Sequence, residues 1–286
     1  MTSLMKNKNT TKIDFYPAAL TIGGSDSCGG GGIQADLRTF NAFAVYGCSA
    51  VAAVTAQNIF KIADIQAISA ESVSAQIDAI LDSVPVKFAK CGMLVNPEIV
   101  RAVAAAVRKY KLKLVVDPVF ADDSGKELLS DDGWKVLCDE LLGASYLVAP
   151  NVVEAERLVG MKIKNEKDLF NAAKSISDTY KTICVIKGGQ LKQDKYAVDA
   201  VAYDGHIYQL RAPMLKNCRH THGIGCTFSA AICANLALGM EWDDALLEAK
   251  TFVFGSIAEP VRLGENTEVM YPPETDFSEH ISLLEI

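Results

Sequence analysis

The sequence predicts an α/β fold, a three-layer α/β/α sandwich built on a mostly parallel central sheet. Short apolar runs alternate with longer stretches of helical periodicity from Pro17 almost to the C-terminus, the order that lays down a parallel sheet covered by helices. Most of these runs lack the alternation of a half-exposed strand, as strands buried on both faces do. No Pro/Ser-rich linker, charge block or repeat period divides the chain, so residues 15–286 are expected to form a single domain.

The elements follow in order. Ala18 to Ile22 reads as the first strand, and Ile33, Leu37, Phe40 and Ala44 recur at the spacing of a helix that lays one apolar stripe on a sheet. Ser49 to Ala56 is a second strand, followed by a helix with Val73, Ile77, Ile80 and Leu81 on one face. Val86 to Cys91 is a third. Asn96-Pro97-Glu98 then opens a helix, combining an N-cap side chain, a preset φ and a charge that suits the helix dipole. Leu112 to Asp117 is a fourth strand, and Ser130 with Asp131 and Asp132 is a second helix start of the same kind. Ser145 to Ala149 and Thr182 to Lys187 complete the buried strands. Tyr196 to Arg211 is broken by Asp204-Gly205, which supplies the positive φ values of a tight hairpin, so the sheet is expected to be mixed. Phe228 to Leu238 reads as a buried helix.

At 286 residues, 50% hydrophobic and 22% charged with 9 Pro, the composition excludes a disordered or collagen-like chain. The net charge of −7 comes without a segregated basic face and disfavours nucleic acid as a partner. The eight cysteines (28, 48, 91, 138, 184, 218, 226 and 233) contain no CxxC pair and are expected to be reduced thiols. Met1 to Asp14 is polar and offers nothing to bury. It is expected as a frayed tail, neither a secretory signal nor a membrane span, which makes the cytoplasm the default location.

In such sheets ligands bind beyond the carboxyl ends of the strands. Four stretches there are unusual. Gly23 to Gly32 holds six glycines in ten residues and fits neither GxGxxG nor a Walker pattern; so many absent Cβ atoms favour close backbone approach to a ligand, or hinge motion. His220 to Thr227 (HTHGIGCT) leads into the buried helix, and glycines before such a helix leave bare N–H groups that suit a transferring phosphoryl group. Cys226 falls in that first turn, where a thiol's pKa is expected to drop. His220 and His222 have no carboxylate or cysteine at a convincing ligand spacing, so packing or hydrogen bonding is expected of them. Asp117-Pro118 and Pro150 to Glu154 each put a carboxylate near a strand end, where Asp117 and Glu154 are candidates to hold Mg²⁺ with its waters beside a nucleotide. Asn151 and Glu154 also read as a capping box. Besides these four, a further run, Lys187-Gly188-Gly189, ends a strand with a cation and two glycines and suggests nucleotide contact.

Taken alone, these residues support a phosphoryl-transfer enzyme and say little about its acceptor. The stretch ALTIGGSDSCGGGGIQADLRTFNAFAVYGCSAVAAVTAQN (Ala19 to Asn58) closely resembles the opening of the bacterial hydroxymethylpyrimidine/phosphomethylpyrimidine kinases of thiamine biosynthesis, members of the ribokinase-like superfamily. The likeness continues in order through KCGML (Lys90 to Leu94), VVDPV (Val115 to Val119), APNVVEAE (Ala149 to Glu156), VIKGG (Val185 to Gly189) and HTHGIGCTFSAA (His220 to Ala231). The resemblance implies a ribokinase-like fold, ATP and Mg²⁺ as cofactors, a homodimer, and phosphorylation of 4-amino-5-hydroxymethyl-2-methylpyrimidine and of its monophosphate. It assigns the pyrimidine site to Gly24, Asp36, Gln57 and Met93 with Val119 nearby, and the anion hole to Gly223, Gly225 and Cys226. Cys226 stands where many superfamily members have an Asp base, and is the candidate to take the acceptor hydroxyl's proton. Asn151, Glu154, Lys187 and Gly188 join Asp117 on the nucleotide side.

Gln57 offers a donor and an acceptor side by side for an aminopyrimidine edge, and Asp36 can accept from the hydroxymethyl or amino group. Their bland alternatives are a strand-end polar group and a solvated first-turn helix residue. Two stretches depart from the family pattern. Phe120 to Gly125 is acidic where the family carries a Lys before Ser-Gly, which leaves a clamp on the second substrate's phosphate open. Leu263 to Val269 replaces a Gly-His-Gly-Pro-Val type of loop, which leaves the adenine contacts open. A monovalent cation requirement is not legible. The rival readings are a pyridoxal kinase on the same frame, against which Gln57 argues, and a non-catalytic vitamer-binding protein, against which Asp117, Glu154, Lys187 and Cys226 argue.

Overall fold

The computed structural model describes residues 15–122, 124–189, 191, 195–216, 218, 222–265 and 267–286. The expected frayed tail 1–14, Asp123, His220, Thr221 and Asn266 lie outside the described residues.

Strand β1 (Ala18–Asp26) leads into helix α1 (Gly32–Ala42), then β2 (Tyr46–Gln57), β3 (Ile62–Ala67) and α2 (Ala70–Leu81). Next come β4 (Phe88–Cys91), α3 (Pro97–Tyr110), β5 (Lys113–Val116), α4 (Asp131–Val136) and β6 (Leu147–Val148). Helices α5 (Val152–Val159) and α6 (Glu166–Tyr180) precede β7 (Ile183–Ile186), the hairpin β8 (Tyr196–Tyr203) and β9 (His206–Pro213), and helices α7 (Ile224–Ala237) and α8 (Trp242–Ala258). The chain closes with β10 (Val261–Gly264), β11 (Thr267–Val269) and β12 (Ser282–Glu285).

Ten strands form one sheet in the order β12-β9-β8-β7-β6-β5-β4-β1-β2-β3. The six from β7 to β2 pair in parallel. The strands at either end pair antiparallel, so the sheet is mixed, as expected. Apolar cores lie on both faces. Leu20, Ile22, Leu114 and Val116 face α2 and α3, while Ala19 and Val115 face Phe228, Ile232 and Leu246 of α7 and α8. Neighbouring residues of one strand thus enter opposite cores, which is why the runs show no alternation. Every residue from Thr227 to Leu236 of α7 is buried. From β1 the chain steps first to β2 on one side and later to β4 on the other, which makes the carboxyl ends of β1 and β4 the reversal point where such sheets open a crevice.

The structure corrects several boundaries. β1 continues to Asp26, so Gly23 and Gly24 are strand, pairing with Val51 and Ala53 across a register shift. Ala44 lies beyond α1 in the left-handed region (φ 56°) and is not part of its stripe. β3 was not anticipated: it is an edge strand with no fully buried residue, so it lacks an apolar run. The turn at Asp204 (φ 49°) and Gly205 (φ 84°) joins β8 to β9, as its sequence predicts.

Candidate active site

Gly24, Gln57 and Met93, the candidates for the acceptor side, come together at the ends of β1, β2 and β4. Gly24 lies on β1 with Met93 packed over it; a Cβ there would stand 3.0 Å from the Met93 sulfur, so the bare glycine leaves a flat wall. Gln57 ends β2. Its backbone N–H donates to Ser27 Oγ (2.7 Å), whose hydroxyl donates back to Gln57 O (2.8 Å), tying the strand to the glycine-rich turn. Val119 is half-buried beyond β5, held by a bond from its N–H to Asp117 O (2.8 Å).

Asp36 is not the solvated first-turn residue considered as its alternative. It is 1% exposed, and its carboxylate accepts from Thr21 Oγ1 (2.5 Å) and, through both oxygens, from Lys90 Nζ (2.8 Å). Burial alone would lower the Lys90 ammonium, but Asp36, Cys226 and Asp117 raise it above the usual lysine range, so it stays charged.

Cys226 sits in the first turn of α7. The first bond of that helix runs from Thr227 N–H to Gly223 O (2.8 Å), which leaves the N–H groups of Ile224, Gly225 and Cys226 without intrahelical partners. Gly223 is left-handed (φ 86°), and a Cβ there would collide with the Gly30 carbonyl, so the glycine-rich turn rests directly on this helix end. The expected fall in the Cys226 pKa is not found. Burial pushes the thiol up to about 11, with Lys90 opposing and Asp36 and Asp117 adding; loss of water outweighs the helix terminus.

On the other side of α7, a Cβ at Gly225 would stand 3.2 Å from Lys187 Nζ and 3.4 Å from Asp117 Oδ2, so its absence lets the helix end close on both. Lys187 donates to Asp117 Oδ1 (2.6 Å) and Ser229 Oγ to Asp117 Oδ2 (3.2 Å). Asn151 and Glu154 form the expected capping box (2.7 and 2.9 Å). Gly188 has a different occupation: its N–H donates to Asp199 Oδ1 (2.9 Å), and a Cβ would run into the Val198 carbonyl. Asp117 and Glu154 are both buried and share one lysine. Burial first, then the Asp117 charge, push the Glu154 carboxyl up to about 7 against the pull of Lys187. Two buried carboxylates short of positive charge are an all-oxygen donor set that fits Mg²⁺.

In the acidic loop, Asp122 Oδ1 accepts from Ser124 N, Ser124 Oγ and Lys126 N (2.9, 2.6 and 2.9 Å), so that charge is spent on its own turn. Of the Leu263 to Val269 stretch, Leu263 and Gly264 belong to β10 and Thr267 to Val269 form β11, and the two strands pair antiparallel.

The Phosphomethylpyrimidine kinase family profile matches residues 26–270. The chain belongs to this family. The hydroxymethylpyrimidine/phosphomethylpyrimidine kinase of Synechococcus elongatus is 41% identical over 252 residues, 87% of this chain and 94% of that one. Among solved structures, a phosphomethylpyrimidine kinase from Clostridium difficile superposes with TM-score 0.74 at 35% identity, covering 84% of this chain and 99% of that one. The ADP complex of Bacillus subtilis pyridoxal kinase superposes with TM-score 0.83 at 34% identity, covering 90% and 98%. The chain is therefore an ATP-using kinase of ribokinase-like fold.

Sequence reasoning missed the partners. Lys90 carried no role, although a lysine inside a doubly buried apolar run signals a buried counter-ion. Asp26 was also missed: it bonds His222 Nε2 at 2.8 Å across 196 residues, a separation that no local spacing rule reaches.

Proposed function

We propose that the chain transfers the γ-phosphoryl group of ATP to the hydroxymethyl group of 4-amino-5-hydroxymethyl-2-methylpyrimidine and then to the resulting monophosphate. The observation that carries this is the seating of one half-buried helix end, Gly223 to Cys226, against the glycine-rich turn on one side and Asp117 and Lys187 on the other. Gly24, Met93, Gln57 and Val119 hold the ring, with the Asp36 and Lys90 pair fixing the wall behind it. The bare N–H groups of α7 take up the charge of the migrating PO₃ unit, and because the transition state is loose, positioning and charge supply most of the acceleration. Cys226 takes the hydroxyl proton as the thiolate. Asp117 and Glu154 would hold Mg²⁺, whose charge when bound offsets that of the phosphates; Lys187 and Asn151 stand on the same side.

The eight unpaired cysteines favour a reducing compartment, so we place the kinase in the cytoplasm, working as a homodimer. Among the described residues no helix is long and apolar enough to cross a membrane.

Pyridoxal is the second reading, favoured by the likeness to solved pyridoxal kinases. Product analysis by ³¹P NMR with the aminopyrimidine alcohol, its monophosphate and pyridoxal separates the readings. The account predicts phosphorylation of the first two and the higher kcat/KM for the aminopyrimidine over pyridoxal; phosphorylation of neither pyrimidine would refute it.

A further inference from the structure

Gln57 is the end of a hydrogen-bonded chain. Its Nε2 lies 3.3 Å from His222 Nε2 and its Oε1 3.2 Å from Thr55 Oγ1. His222 Nε2 is 2.8 Å from Asp26 Oδ2. Asp26 is 3% exposed and also accepts from Gly31 N (2.7 Å) and Cys28 N (2.9 Å). Burial alone would raise its carboxyl, but the bonds from His222, Gly31 and Cys28 hold it well below the usual range. A carboxylate at 2.8 Å demands a donor, so His222 carries its hydrogen on Nε2.

That hydrogen constrains the amide beside it. An imidazole N–H facing an amide NH₂ sets donor against donor. At the other end, Thr55 has one hydroxyl hydrogen and a carbonyl, Ser25 O, at 3.0 Å to receive it, which leaves its lone pairs for Gln57. Turning the amide over, carbonyl toward His222 and NH₂ toward Thr55, lets the NH₂ donate to Thr55 Oγ1 and sets a carbonyl instead of a second donor beside the imidazole N–H, whose one hydrogen stays on Asp26; amide O and N share one shape and are told apart by their partners. The imidazole itself is locked, because it lies on the bare backbone of Gly30 and Gly31, where a Cβ at Gly30 would collide with its Cδ2.

We propose that Asp26 and His222 are specificity-determining positioning residues that fix the Gln57 amide with its carbonyl toward His222, and thereby the direction in which a heteroaromatic acceptor lies. An aminopyrimidine presents an amino donor beside a ring-nitrogen acceptor. Reversing the amide exchanges its own donor and acceptor, so the ring has to turn over to keep both bonds, which carries its hydroxymethyl group away from Cys226. The inference rests on the reading of Gln57 as the ring-recognising residue.

The test has two parts. In ¹⁵N NMR of the intact wild-type protein, His222 should show hydrogen on Nε2, and Asp26→Asn should shift it toward Nδ1. In kinetics, His222→Ala should lower kcat/KM about tenfold for the aminopyrimidine alcohol and less than about threefold for pyridoxal, mainly through KM; in a Gln57→Ala background it should add less than about twofold. An Nδ1–H tautomer in the wild type, additive losses in the double variant, or equal losses with both acceptors would overturn the proposal. So would stoichiometric Zn²⁺ binding through Asp26, Cys28 and His222, whose ligand atoms lie within 4.8 Å of one another, because a metal would replace the hydrogen on Nε2. If Gln57→Ala alone leaves the aminopyrimidine kinetics unchanged, the reading of Gln57 fails, and the proposal with it.

Discussion

Cys226 owes its properties to what surrounds it. Its position in a helix first turn argues for an acidic thiol, but burial outweighs the helix terminus and holds it up to about 11. A base with that pKa is mostly protonated at neutrality, and its thiolate fraction grows about tenfold per pH unit below 11. Under saturating substrates kcat should therefore climb between about pH 7 and 10, and Cys226→Ser should lower kcat about 10²-fold at neutral pH and flatten the climb. A parallel climb in the serine variant would leave Cys226 with only the backbone role. The glycine-rich turn, Asp117 and the Asn151 and Glu154 capping box were singled out because glycines, a carboxylate after a strand and a capping pair carry their chemistry in a few adjacent letters, whereas Gly24, Asp36, Gln57, Met93 and Val119 were assigned by the family resemblance alone. Lys90 and Asp26 were not legible, because their partners stand 54 and 196 residues away and no local pattern encodes such pairings.

Helix α7 and the glycine-rich turn act together. The turn reaches the helix end because Gly223 and Gly30 both lack a Cβ, and Gly223 has the positive φ that glycine alone adopts cheaply. Gly223→Ala should cost more than about 1 kcal/mol in urea denaturation, since it adds backbone strain to a collision, and should lower kcat more than it raises KM because the bare N–H groups move. Unchanged stability and kcat would remove the helix end from the site. Apolar runs and capping residues made the central elements readable. The edge strands β3 and β12 were missed because an edge strand packs little and needs no apolar run.

The proposed acceptor residues Gly24 and Met93 stand where the order of strands reverses, and a buried ion pair crosses that point. Lys90 on β4 and Asp36 on α1, each 1% exposed, tie the sheet to the helix. Lys90→Met should cost about 3–5 kcal/mol by leaving the Asp36 charge buried and unpaired, and Lys90→Met with Asp36→Leu should recover much of that loss in the same denaturation assay. A single variant as stable as the wild type would mean that water reaches the pair. That the unusual loops follow the carboxyl ends of buried strands was readable in the sequence; the order of the strands, and so where it reverses, was not, because pairing between distant strands leaves no local pattern.

The most direct measurement is a crystal structure of the ternary complex with a non-hydrolysable ATP analogue and the aminopyrimidine alcohol. The account predicts the γ-phosphate on the N–H groups of Gly225 and Cys226, the ring against Gln57 and Met93, and the hydroxymethyl oxygen in line for attack at about 3–3.5 Å from phosphorus. A ring bound away from Gln57, or a hydroxyl that stays out of line with the phosphate in the closed complex, would contradict it.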